Sequence, residues 1–238
     1  MAETSVPIGL PLVDGLADLE SPTIGNYCEA AAEYIRMASK VGSNSGKAAQ
    51  IRLSHTLATV TVQDLRDAGA NVINAVSAER EVGGGLRSVK ADVSEVSETD
   101  GLKLAVEIKP VHLAIGRALW NRFGDVRTFA VNIHLKFPFA VVGGILTLPT
   151  LERSRSGHDA EWKSTTHLIT RAVSRFERAG GRRTEGDAAH LLEGVAVVAF
   201  DCETGKMEPD LPSVGSGLRW QEFIQTMADT YQARFGAT

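Results

Sequence analysis

The chain has 238 residues, 43% hydrophobic and 23% charged, the ordinary balance of a soluble globular protein able to bury a sizeable core. A formal charge of −4 excludes a global pull toward nucleic acid, so any polyanion would have to be recognised by locally placed cations. Two cysteines, Cys28 and Cys202, are too few for a disulfide scaffold or a cysteine-based zinc site, and they fit buried thiols in a reducing compartment.

The start, Met1-Ala2-Glu3-Thr4, lacks the basic region and apolar core of a secretory signal, and residues 1–22 read as an irregular arm. Residues 23–38 have helix-forming composition, with Ala30, Ala31, Ala32, Ile35 and Met37 interleaved with Glu29, Glu33 and Arg36. Gly42-Ser43-Asn44-Ser45-Gly46 breaks that pattern. The β-branched segment 55–62 suggests a strand, and Leu65, Ala68, Val72, Ile73 and Val76 recur at helical spacing across 62–79. Gly83-Gly84-Gly85 reads as a flexible connector; it lacks the Gly-Lys-Ser/Thr ending of a phosphate-binding loop.

Two strands are expected near 88–96 and 102–109, joined by the turn-rich Ser97-Glu98-Thr99-Asp100-Gly101. A helix over 112–123 follows, with Ala114, Ile115, Ala118 and Leu119 as its apolar stripe. Residues 127–135 alternate, with Phe129, Val131, Ile133 and Leu135 on one face, which predicts a strand. Residues 139–148 are nearly all apolar and predict a strand buried on both faces, in which Gly143-Gly144 permits a bend or bulge. The longest apolar stretch, 137–148, falls short of the ~20 residues of a spanning helix and contains Pro138.

Further on, 152–159 is polar and loop-like, and 163–179 predicts a helix with Leu168, Ile169, Ala172, Val173 and Phe176 inward. Gly180-Gly181-Arg182-Arg183 ends it, 194–200 is an interior strand, and 218–235 a final amphipathic helix. There is no internal repeat and no convincing linker. The expectation is a single α/β domain spanning 1–238, a mixed central β-sheet flanked by helices, located in the cytoplasm without membrane contact.

The chemistry concentrates in the expected hairpin. Side chains alternate along a strand, so Glu107 and Lys109 share one face of Leu102–Lys109 while Val106 and Ile108 take the other. On the upstream strand Lys90, Asp92 and Ser94 oppose Val89, Ala91 and Val93, so closing the hairpin brings Asp92 toward Glu107 and Lys109. Such charges beside a buried strand are expensive unless compensated, and a metal ion is one compensation. Two carboxylates suit a hard cation such as magnesium, and an ammonium beside them suits an attacking water and a phosphodiester. A second Glu-x-Lys, Glu161-Trp162-Lys163, follows a polar loop and lacks an apolar strand or upstream Asp. The competing reading of Glu107 and Lys109 is a solvated strand face or a cross-strand ion pair.

Ala91-Asp92-Val93 followed by Glu107-Ile108-Lys109, with 14 residues between Asp92 and Glu107, resembles the PD-(D/E)xK nuclease superfamily, the restriction-endonuclease-like fold. The resemblance covers a catalytic core of about 84–148, in the order Asp strand, Glu-x-Lys strand, helix, strand; Ala91 stands where the family often has Pro. It implies that Asp92, Glu107 and Lys109 are catalytic, and that Asp92, Glu107 and the Ile108 carbonyl hold Mg2+. It also implies a magnesium-dependent endonuclease of double-stranded DNA, a sequence-specific type II restriction enzyme working as a homodimer. The alternatives are a repair or phage nuclease of the same fold and a catalytically silent DNA-binding module. In the family an upstream helix sometimes donates another acid, for which Glu29, Glu33 and Glu79 are the candidates.

Other residues carry weaker signals. The histidines form no compact zinc motif; His112, just past the hairpin, is either a surface residue at a helix start or a phosphate contact. No Gly-x-Ser-x-Gly occurs. Arg117 and Arg122, with Trp120 between them, lie on the helix after the hairpin and face either solvent or a DNA backbone. Arg171, Arg175 and Arg178 share a helix face, and Arg182 and Arg183 follow in a glycine-flanked loop, making these five the candidate phosphate contacts.

Overall fold

The computed structural model describes residues 9–69, 72–153 and 161–236. The chain opens with α1 (Pro11–Gly15), α2 (Ile24–Met37) and α3 (Ser43–Ala68). A short antiparallel ribbon, β1 (Arg80–Gly83) and β2 (Ser88–Ala91), leads into β3 (Val93–Ser97) and β4 (Gly101–Pro110). Then come α4 (Ile115–His134), β5 (Val141–Pro149), the ribbon β6 (Leu151–Arg153) and β7 (Trp162–Ser164), α5 (Thr166–Phe176), β8 (Gly194–Phe200) and α6 (Trp220–Phe235). Among the described residues no helix is long and apolar enough to cross a membrane.

The central sheet has the order β3-β4-β5-β8; β3 runs antiparallel to β4, while β4, β5 and β8 are parallel. The parallel pairs are joined by crossovers that carry α4 and α5. Period-two alternation sends Val106, Ile108, Ile145 and Val198 into one face, against α2, α3 and α6. It sends Ala105, Val142, Leu146 and Val197 into the other, against α4 and α5. The protein is therefore a mixed sheet flanked by helices on both faces. Both outer edges are occupied: Ser94 of β3 exchanges two hydrogen bonds with Val76, and Met207 bridges Phe200 of β8.

All nine residues of β5 are buried, as the apolar run predicts. Its glycines make no bulge, since pairing with β4 runs unbroken through Gly143 and Gly144. They allow helices to approach from both sides. A Cβ on Gly143 would lie 2.9 Å from Met227, and one on Gly144 2.5 Å from Val126 of α4.

Two predicted strands are helical. Residues 55–62 lie inside α3, where Leu53, Leu57, Val60, Thr61 and Leu65 are buried at helical spacing. Thr59 and Thr61 fit because each hydroxyl donates to the carbonyl four residues back, at 3.1 and 2.7 Å. Residues 127–135 continue α4: Val126, Phe129, Ala130 and Ile133 form its buried stripe, while Leu135, inward in a strand, is 54% exposed. The helix expected over 62–79 stops at Ala68, and 72–76 runs beside β3 instead. The arm contains α1 and a further helical turn, with Val13 and Leu16 buried. Of the expected loop at 152–159, Glu152 and Arg153 belong to β6, and the remainder lies outside the described residues. Gly83-Gly84-Gly85 is not a loose connector, because Gly84 and Gly85 are hydrogen-bonded to Arg87 and Asn132.

His112 is not at the surface. Its Nε2 lies 2.9 Å from the Tyr27 hydroxyl, which also meets the Thr147 hydroxyl at 2.7 Å, tying α2 to β5. Burial holds the imidazole at about 4, well below its ordinary value. The neutral ring is therefore the folded form. As pH falls from about 6.5 toward 4, only the unfolded chain takes up this proton, a loss of roughly 3 kcal/mol. Burial raises the Glu107 carboxyl to about 7, which acts in the opposite sense over nearly the same window. The readout is therefore a difference: the lead in melting temperature of the parent over His112→Gln should narrow from about pH 7 to about pH 5. A constant lead would remove the buried neutral imidazole from the account.

Candidate active site

The expected upstream strand of the hairpin is two strands that meet at Asp92. Before it, β2 pairs with β1; after it, β3 pairs with β4. The chain bends at Asp92, so the expected alternation across it fails: Val89 and Ala91 pack on the α4 face, and Val93 on the opposite one. The Asp92 N–H still donates to the Val106 carbonyl at 3.1 Å, and its Oδ2 accepts from the Ile108 N–H at 2.7 Å. The carboxylate thus takes the place of the next backbone partner along that edge of β4. In an extended strand the N–H and C=O of one residue share an edge, so the Ile108 carbonyl faces the Asp92 side as well.

Glu107 and Lys109 lie on the α4 face of β4 and form an ion pair. Together with Asp92 they line one cavity of about 360 Å³. Its walls come from Arg87, Ser88, Val89 and Lys90 around β2, from Glu79, and from Arg122, Asp125 and Phe129 of α4. Glu107 is only 7% exposed. Burial is the largest cause of its rise to about 7, with Asp92 and Asp125 adding to it and Lys109 opposing. Burial also raises Asp92, against the pull of the Ile108 N–H and the Lys109 charge. Two acids that resist ionisation side by side are short of positive charge.

That deficit and the all-oxygen donor set fit a hard divalent cation. Asp92, Glu107 and the Ile108 carbonyl would supply three ligands, leaving positions for water, as magnesium prefers. Among the described residues no group of three His, Cys, Asp or Glu side chains is placed to hold a metal. Any site here therefore depends on the carbonyl and on water or substrate oxygens.

Of the three upstream acids, Glu79 reaches the cavity wall and bonds Lys90 at 2.7 Å. Glu33 is buried elsewhere, accepting from the N–H groups of Leu12 and Val13 at 2.9 and 3.1 Å. Glu29 lies on α2 against Gly205. Asp125 was not anticipated, and neither was the place of Arg122 beside it at 3.1 Å. The signal was the helical period continuing past Phe123, which puts 122, 125 and 129 on one flank of α4. Arg117 lines a separate small cavity with Asn121 and Arg122.

The arginine cluster divides. Arg171 and Arg175 are exposed on α5 and sit over the Trp120 ring at 5.2 and 4.0 Å. Arg178 is exposed and reaches Ser174 at 3.3 Å. Arg183 is exposed, with its N–H bonded to Asp187. Arg182 must be struck from the phosphate contacts: it is 3% exposed, pairs with buried Glu193 at 3.3 Å, and donates to the carbonyls of Asp187 and Pro138. None of the five lines the cavity. The second Glu-x-Lys is exposed at the β6–β7 ribbon, away from it.

No protein-family model, no curated protein and no solved structure matches this chain.

Asp92→Asn keeps an acceptor for the Ile108 N–H while removing one of the two carboxylates that would hold the cation. The expected result is a fold of near-parental stability whose melting temperature no longer rises with added Mg2+, where that of the parent does. An equal Mg2+-dependent rise in both proteins would take Asp92 out of the ligand set.

Proposed function

We propose that the chain is a magnesium-dependent endonuclease that hydrolyses phosphodiester bonds of double-stranded DNA, a type II restriction enzyme acting as a homodimer. The observation that carries this reading is that Asp92, Glu107 and Lys109, from adjoining β-segments, line one cavity beside a bent strand. A restriction-endonuclease-like core accords with the order Asp92 junction, β4, α4, β5.

Asp92, Glu107 and the Ile108 carbonyl would hold the cation, whose chemistry is to lower the pKa of a bound water and to offset charge on the scissile phosphate. Lys109, half-buried and kept at the cavity by Glu107, donates a hydrogen bond to the attacking water and keeps its lone pair aimed at phosphorus. The new P–O bond forms as the bond to the leaving sugar oxygen breaks; one water proton departs and the leaving oxygen gains one from solvent. Glu107 thus serves twice, as ligand and as the anchor of Lys109. A symmetric dimer would carry two such sites, one per strand of a palindrome.

Supercoiled plasmid incubated with Mg2+ should give discrete linear fragments, and EDTA should stop the reaction. Lys109→Ala should slow cleavage at least about hundredfold while DNA binding in Ca2+ persists. Cleavage at the parental rate would remove Lys109 from the chemistry, and end-dependent degradation in place of discrete fragments would remove the restriction role.

A further inference from the structure

The charges around the cavity leave a remainder. Glu79 is matched by Lys90 at 2.7 Å, Asp125 by Arg122 at 3.1 Å, and Glu107 by Lys109. Among the described residues this leaves Asp92 as the one lining acid without a cationic partner and Arg87 as the one lining cation without an acidic partner. Asp92 is accounted for by the Ile108 N–H and by the proposed cation. The exposed Arg87 guanidinium has no side-chain hydrogen bond or ion pair among the described residues.

Its backbone, by contrast, is tightly held. The Asn132 side-chain oxygen accepts from the Arg87 N–H at 2.9 Å and the Leu86 N–H at 3.2 Å. The Asn132 carbonyl accepts from the Gly85 N–H at 2.8 Å, and its amide nitrogen donates to the Thr128 carbonyl at 2.9 Å, which sets the amide's orientation. The loop needs its glycines to come this close. A Cβ on Gly84 would lie 2.6 Å from the Arg87 carbonyl oxygen, and one on Gly85 2.4 Å from the Leu135 Cβ. The glycine triplet is thus what lets the β1–β2 loop dock on α4.

A fixed backbone bearing a guanidinium that no acid at the cavity pairs is built to receive an anion from outside. The guanidinium fork matches two phosphate oxygens at once. We propose that Arg87 binds a backbone phosphate of the DNA strand entering the cavity, with Asn132 as the residue that positions it. This rests on the nuclease reading and adds a substrate contact to it.

The test measures binding of a short DNA duplex in Ca2+ across a range of salt concentrations. Arg87 is exposed, so its replacement leaves the core untouched. Arg87→Ala should weaken binding about tenfold. It should also reduce the steepness of log affinity against log salt by about 0.9, the loss of one phosphate contact. Arg87→Lys should restore the salt slope without the full affinity. Asn132→Ala should weaken binding in the parent and add nothing in the Arg87→Ala background, because it acts through that residue. A parent that cleaves DNA while Arg87→Ala binds with unchanged affinity and slope overturns this inference alone. An Asn132→Ala loss that persists without Arg87 overturns the positioning role. A parent that neither binds nor cleaves duplex DNA overturns the nuclease reading, and this inference with it.

Discussion

Everything at the candidate site depends on one hydrogen bond, from the Ile108 N–H to the Asp92 carboxylate. At Asp92 the chain leaves the central sheet: β3 stays paired with β4, while β2 turns away to pair with β1. Had the upstream strand run straight on, the edge of β4 beyond Val106 would have been covered by backbone and no cavity would open there. The bend exposes that edge, and the carboxylate satisfies the one N–H it would otherwise orphan. The arrangement has a cost, since burial raises the Asp92 carboxyl from its ordinary value and the Glu107 carboxyl to about 7. Charge held at a loss inside a fold is what a binding site for a counter-charge looks like.

The opposite wall is built by α4, and its approach is decided in β5. Gly144 lets Val126 press onto the sheet, and Val126 lies one residue from Asp125 and three from Phe129, both at the cavity. A helix seated further out would carry Arg122 and Asp125 away from Glu107. Asn132, lower on the same helix, takes hold of the β1–β2 loop. One helix therefore fixes two walls of the cavity, and the third is the bent strand itself.

The sheet was legible because β4, β5 and β8 carry apolar patterns that no helix of comparable length reproduces, and because Glu107 and Lys109 break the alternation of β4 on one face only. Residues 55–62 and 127–135 misled for a shared reason. Thr and Val at 56–62, and alternation at 129–135, are local signals, whereas burial in α3 and α4 follows contacts with distant strands. The hairpin was seen, but the break at Asp92 was not, since nothing in Lys90-Ala91-Asp92-Val93 distinguishes a bend from a straight strand. Arg182 cannot be told from its neighbours in the sequence, because the carboxylate that buries it, Glu193, stands just before β8 and is reached only after a further loop. The sequence of the glycine triplet suggests freedom, whereas the structure uses it for closeness.

The net charge of −4 does not argue against a polyanionic substrate once the cations are placed. Helix α4 has a buried stripe with two flanks: Arg122, Asp125 and Phe129 face the cavity, and Trp120 and Phe123 face α5. Arg171 and Arg175 rest on Trp120, so their charges are oriented by an aromatic face, and among the described residues no acid pairs with them. Arg87 is anchored beside Asn132, whereas the arginine pair lies over Trp120, twelve residues earlier on α4, so the two cationic positions are offset along the helix by about 18 Å as well as across it. On the nuclease reading, a duplex whose one strand enters the cavity would have to run along α4 for further phosphates to reach the arginines on its α5 side. On that reading the bend at Asp92 and the stacking on Trp120 would serve one ligand from opposite flanks of the same helix.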